Sequence, residues 1–214
     1  MFTVVNIQED DLSLREDVEL FLEAELQKSK NNGVKLRSEE QLRLAFRSGY
    51  PLCITVNTRV IGVSFVYEYH AGEHYFFEIG TMLVTEAYQG FGLQKFLAQQ
   101  HMLQMLATDA FEGKNVAFAV AKRDSPSEHI LRDNVGMQPN WAPPAAIAQE
   151  RASQGLPFDP AKNNLLADEA TIKKALTDLK GLHRGLSEFI TPKQQNIVKV
   201  QLGWFSPELL DFEG

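Results

Sequence analysis

Gly90 and Gly92 stand where a strand-like run gives way at once to a helix-like one, V-T-E-A-Y-Q-G-F-G-L-Q-K-F-L over residues 84–97. Glycine lets a backbone turn left-handed and approach a ligand without a Cβ clash. The N–H groups of a first helical turn then converge on one spot and, with the helix dipole, favour an anion such as a pyrophosphate. The spacing is neither the G-x-G-x-x-G of a dinucleotide fold nor a P-loop. By itself, a G-x-G is equally a plain helix-entry turn. Six residues before Val84 lies Glu78, among Phe76, Phe77 and Ile79. Period-two alternation predicts that Glu78 and Val84 share a strand face. Partial desolvation of the kind those neighbours impose brings a carboxylate into the range of a general base. A strand carboxylate that faces solvent or pairs with an arginine is the alternative.

Other reactive residue types carry weaker signals. His70 and His74 straddle an expected turn with no Cys or carboxylate cluster beside them, so a solvated hairpin is favoured over a metal site. No metal is expected. His101 and His129 read as surface helix residues, and Cys53, the lone cysteine, reads as packing in an apolar strand.

The elements that must position these groups follow from periodicity. Residues 2–7 read as a strand and 14–26 as an amphipathic helix carrying Leu14, Val18, Phe21 and Leu22. Ser38 and Gln41 have capping-box spacing ahead of a short second helix. Three strands, 51–57, 60–69 and 74–84, then form an antiparallel meander. A helix from Leu93 to Ala107 and a buried strand at 116–121 make a crossover unit with parallel strands. A short helix is expected over Ser127–Val135, a loop-rich stretch from Asn140 to Asn164, a helix beginning at Asp168 and carrying Ile172 to Ile190, and a last strand at 196–204. The fold class is thus α/β: a mixed, mostly antiparallel central sheet flanked by helices, read as one domain over 1–214 with a loop-rich and helical insertion at 141–194 before the last strand.

Composition narrows the partners. With 28 acidic against 21 basic residues the chain carries a formal charge of -7, which argues against nucleic acid. Its apolar runs fall short of the roughly 20 residues that span a bilayer, so no membrane segment is expected. One cysteine and no basic leader point to a cytoplasmic setting. Eight of the first 30 residues are acidic and three are basic. This is either a lip that attracts a cationic amine or a solvated helix face.

The segment from Val84 resembles the acetyl-CoA loop of the GCN5-related N-acetyltransferases. That family's pattern, Val-x-Pro-x-x-Arg/Gln-x-x-Gly-x-Gly/Ala, is matched by Val84, Gln89, Gly90, Phe91, Gly92 and Leu93. Glu86 replaces the Pro and Gln94 the last Gly/Ala. The order of expected elements over residues 1–140 is the family's order. The resemblance implies that the backbone of Met82, Leu83 and Val84 pairs with the pantetheine amides. It likewise implies that the N–H groups of Gln89, Gly90, Phe91, Gly92, Leu93 and Gln94 hold the pyrophosphate. It implies an N-acetyltransferase that uses acetyl-CoA as co-substrate and acts directly on a primary amine, with Glu78 as base and a β4 N–H near Leu83 for the oxyanion. The tyrosine that many members carry on the helix after the fifth strand has no counterpart here; either Ser127 or Ser125 protonates the leaving sulfur or no specific acid is needed, and a plain helix cap is the alternative for Ser127. Competing readings are a longer acyl donor and a catalytically reduced acyl-CoA-binding module. The insertion could act as a lid, as core, or as a homodimer contact through the 168–190 helix.

Overall fold

Short β-branched runs and capped amphipathic segments alternate through the first half of the chain, and each forms the element its pattern predicts. The computed structural model describes residues 2–28, 37–48, 50–107, 115–134, 137, 139, 141–160, 163–166, 188–190 and 197–202. β1 (Phe2–Asn6) leads to α1 (Leu12–Lys28), which Asp11 caps by accepting the Leu14 N–H at 3.1 Å. α2 (Glu39–Ser48) opens with the reciprocal box: the Gln41 N–H donates to Ser38 Oγ at 3.3 Å and the Ser38 N–H to Gln41 Oε1 at 3.0 Å. β2 (Leu52–Val56) and β3 (Arg59–Ala71) meet at a two-residue turn in which Asn57 (φ 49°) and Thr58 (φ 69°) are both left-handed. Two such residues give the hairpin turn that matches strand twist.

β4 (His74–Val84) returns alongside, and a 3₁₀ turn (Glu86–Tyr88) and the glycine loop feed α3 (Leu93–Ala107). β5 (Asn115–Lys122) pairs parallel to β4 from Tyr75↔Asn115 to Ile79↔Ala119, as the crossover predicts. α4 is a single turn (Pro126–His129) continued by a π-helical turn, Ile130–Asn134. Val135, where the expected helix ends, lies outside the described residues.

The stretch expected to be loop-rich departs from its reading. It contains α5 (Ala145–Ser153), followed by β6 (Asn163–Leu166), which pairs antiparallel with Ala119–Lys122 of β5. The prolines that suggested a loop sit outside the helix. Pro144 is its N-cap, the interior is rich in Ala, Gln, Glu and Arg, and Gly155 (φ 73°) follows its end. Most of the expected 168–190 helix lies outside the described residues. Its last three positions instead form β7 (Glu188–Ile190), antiparallel to β8 (Ile197–Leu202), the strand predicted at 196–204. β8 runs parallel to β1, with Phe2 opposite Val200. The hydrogen-bonded strand order is β6-β5-β4-β3-β2-β1-β8-β7.

The chain divides into two compact units, and β3 and β4 contribute to each. In the first unit (Met1–Phe65, Thr81–Leu93, His183–Gly214), α1 buries Val18, Phe21 and Leu22 and α2 buries Leu42, Ala45 and Phe46. Phe46 meets Phe65 edge-on at 5.4 Å, and Cys53, Ile54 and Val63 are fully buried beneath. In the second (Val66–Gly80, Gln94–Leu182), Phe76, Phe77 and Ile79, Leu97 and Ala98, Phe118 and Ile147 form the core. Each such large side chain stabilises its unit by roughly 1.5–3 kcal/mol. Among the described residues, no helix is long and apolar enough to cross a membrane.

Candidate functional site

In the second unit, strand alternation turns Phe76 and Glu78 of β4 to one face, where Phe118 of β5 lies in register with Glu78. Trp141 covers that face, its ring 5.1 Å from Phe118 and 6.1 Å from Phe76. Glu78 is only 2% exposed. The Tyr69 hydroxyl of β3 donates to its Oε2 at 2.8 Å, and Nη1 of Arg151, from α5, contacts the same oxygen. Arg151 is itself buried, with its guanidinium 4.6 Å above the Phe158 ring. Glu78 is therefore desolvated, as its neighbours predict, but it is paired, which is the geometry of the arginine-bound alternative. A buried carboxylate oxygen that meets both a guanidinium and a phenol is a different environment from an isolated acid among apolar rings.

Tyr69 and Arg151 were not singled out by sequence. Tyr69 follows Tyr67 at period two on β3, a weak signal that a polar ring end turns inward. Arg151 stands four residues after the fully buried Ile147, on the same helix face. That spacing becomes a signal only once the helix itself is recognised.

Beyond Ile79 no further β4–β5 register follows, and Thr81 adopts a left-handed conformation (φ 47°) in mid-strand. For a β-branched residue this is a strained state, costing roughly 1–3 kcal/mol, and such states concentrate at functional positions. In the first unit, Met82 and Leu83 are half-buried and Val84 is buried. A Cβ at Gly62 would lie 3.2 Å from Val84 Cγ2 and 3.3 Å from the Leu83 carbonyl, so β3 approaches the end of β4 as closely as a glycine permits. The Thr85 N–H donates to the Ile61 carbonyl at 2.9 Å and ties the strand end down.

The loop that follows is built from backbone. The Tyr88 N–H donates to the Thr85 carbonyl at 2.9 Å and the Gln89 N–H to the Glu86 carbonyl at 3.1 Å, while Gln89 Nε2 reaches the Val84 carbonyl at 3.1 Å. Gln89 is thus a brace of the turn, its backbone N–H and its side-chain amide both engaged within it. Gly90 (φ 80°) and Gly92 (φ 77°) are both left-handed, and α3 starts at Leu93. Tyr88 and Phe91 pack against Phe2 of β1 at 5.8 and 6.4 Å and hold the loop from behind. Gln94 is half-buried. A helix start leaves its first N–H groups without i−4 carbonyl acceptors and, with the helix dipole, favours an anion.

Ser127 lies half-buried in the first turn of α4. The cap is Ser125, whose Oγ accepts the Glu128 N–H at 3.2 Å, while Glu128 Oε2 accepts the Asp124 N–H at 2.6 Å. His70 packs against Tyr75 at 4.6 Å and His74 lies 6.3 Å from Phe76. Among the described residues no group of three His, Cys, Asp or Glu could hold a metal ion. His101, expected at a helix surface, is instead fully buried in α3, whereas His129 is exposed. Cys53 is fully buried, and burial, with the charges of Asp11 and Asp17 adding to it, pushes its thiol up to about 12.

No protein-family model and no curated protein matches the sequence. Solved structures do match. Naa50 of Arabidopsis thaliana, in complex with the bisubstrate analogue CoA-Ac-MVNAL, is similar at TM-score 0.52 and 11% identity over 78% of this chain and 97% of its own. N-acetylglutamate synthase from Neisseria gonorrhoeae, complexed with coenzyme A and N-acetyl-glutamate, is similar at TM-score 0.56 and 13% identity over 78% of this chain and 34% of its own. An acetyltransferase of the GNAT family from Staphylococcus aureus reaches TM-score 0.53 at 11% identity over 78% of this chain and 99% of its own. The chain therefore has the fold of the GCN5-related N-acetyltransferases.

Proposed function

We propose that this protein is an acetyl-CoA-dependent N-acetyltransferase that passes the acetyl group directly to a primary amine. The observation that carries this reading is the run from the left-handed Thr81 through the left-handed Gly90 and Gly92 into α3, in a fold whose solved members include proteins bound to CoA. The backbone of Met82, Leu83 and Val84 would hold the pantetheine amides, and the loop from Gln89 to Gln94 the pyrophosphate, with the Gln89 side chain bracing the turn. The Leu83 N–H would stabilise the oxyanion. The amine forms its bond to the thioester carbonyl, the C–S bond breaks, Glu78 takes the amine proton, and Ser127 supplies one to the leaving thiolate. No covalent enzyme intermediate is required, and the setting is cytoplasmic.

The test is release of free thiol from acetyl-CoA across a panel of amines, run beside amide exchange of Gly90 to Gln94 with CoA present. Thiol release together with protection of that stretch is expected. Absence of protection removes the reading. A second reading, a catalytically reduced acyl-CoA-binding module, is favoured by the burial and pairing of Glu78 and by the half-buried Gln94 where the family keeps a small residue. Binding without thiol release supports it. Release only from a longer acyl-CoA supports an altered donor.

A further inference from the structure

If Glu78 is to take a proton directly from the acceptor, with no water between, the amine nitrogen must come within roughly 2.6–3.2 Å of its carboxylate. That position is filled. Nη1 of Arg151 sits on Oε2 beside the Tyr69 hydroxyl, with Phe76, Phe118 and Trp141 on the same face. A guanidinium and a protonated primary amine are alike in what matters here: each is a monovalent N–H donor that also binds aromatic faces. The hold on Arg151 is the weaker kind. Among the described residues its side-chain contacts are Nη1 on one carboxylate oxygen and the Phe158 ring, and neither its buried Nε nor Nη1 makes a hydrogen bond there. A two-pronged arginine–carboxylate fork would be harder to displace.

We propose that Arg151 is a specificity-determining residue whose guanidinium occupies the place of the acceptor's ammonium group at Glu78. The acceptor is then a cationic primary amine that enters by exchanging with Arg151, and α5, which carries Arg151 between Pro144 and Gly155, shifts when it does. After exchange, one proton passes from the ammonium nitrogen to the Glu78 carboxylate and leaves the neutral amine that attacks; the second, lost as the amide forms, goes to the leaving thiolate. The inference rests on the amine-acetyltransferase reading and names its substrate class.

The primary experiment is hydrogen exchange of amides 147–153 in the wild-type protein with and without 1,4-diaminobutane. Faster exchange with the diamine is expected, and unchanged exchange at a concentration that saturates turnover overturns the proposal. Kinetics give a second measure. In Arg151→Met the competitor is gone, so KM for the diamine falls about tenfold, the equivalent of ~1.4 kcal/mol, and the gain in kcat/KM lies in KM. Arg151→Lys, which restores a cation, brings KM back towards the wild-type value. An unchanged or raised KM with a lowered kcat in Arg151→Met indicates a purely structural pair and sinks the idea. Where Arg151→Met does not fold, the exchange experiment and Arg151→Lys decide. If the wild type releases thiol with no amine, the functional reading fails separately, and α5 exchange with the diamine still reports on displacement.

Discussion

Between Thr81 and Leu93 the groups that could hold a ligand belong to the backbone: amides freed by a helix start, two left-handed glycines and a strained threonine. Around Glu78 the corresponding groups are side chains from β3, β4 and α5, drawn together from distant parts of the chain and closed from water. A backbone site tolerates exchange of its exposed side chains but not of its dihedral angles. A side-chain site depends on charge balance, since a buried ion whose partner is removed keeps its desolvation cost without compensation. The two regions should therefore fail in different ways under substitution.

The largest effect is expected at the side-chain cluster. Arg151→Met strands Glu78 and should lower stability by roughly 3–5 kcal/mol, whereas Arg151→Met combined with Glu78→Leu should recover most of that loss. Denaturant unfolding of the two variants checks it. Equal loss in both would show that helix packing, not charge, holds α5 down. The glycine loop should show the opposite signature. Gly92→Val forces a β-branched side chain into φ near 77°, where the backbone cost is about 1–2 kcal/mol. CoA affinity, measured by calorimetry, should fall further, by about 100-fold or ~2.7 kcal/mol, because the amides are turned away. A variant that folds and binds CoA normally would mean that the loop is only a helix entry.

The same contrast explains what was legible in the sequence. The Ser38–Gln41 box, the Asn57–Thr58 turn and the strand-to-helix passage at Gly90 and Gly92 are local, so residue type and spacing announce them. Arg151 cannot be read this way. Its partner lies in a strand far back in the chain, and an arginine four residues after an isoleucine reads equally as a surface residue. α5 was hidden because Pro143, Pro144, Pro157 and Pro160 dominate the texture, although all of them lie outside the helix. β6 was missed because four residues beginning Asn-Asn have little strand propensity and gain order from pairing with β5. Thr81 bears no mark of its left-handed state, since a β-branched residue is the last to be expected there. The brace that Gln89 makes within the turn is a detail only the hydrogen bonds reveal.

A smaller and graded effect tests whether the loop-bearing unit can be perturbed apart from both regions. Cys53 lies in β2 with its thiol raised from 9.0 to about 12, chiefly by burial. The folded state therefore binds the thiol proton more tightly than the unfolded state. Below pH 9 both states are protonated and the difference contributes nothing that varies with pH. Above it the unfolded chain releases its proton while the folded one does not, so stability falls as pH rises towards 12, with a slope of up to about 1.4 kcal/mol per pH unit. Tyrosines and lysines titrate in the same range, so the measurement is the wild type minus Cys53→Val, followed by chemical unfolding from pH 8 to 11. The difference should be flat at first and then turn against the wild type. A flat difference throughout would mean that water reaches the thiol and that the packing of β2 against α1 and α2 is looser than the structure has it. The Glu78 cluster contains no thiol, so α5 exchange in Cys53→Val should match the wild type at pH 8, which makes this variant the control for the Arg151 experiments.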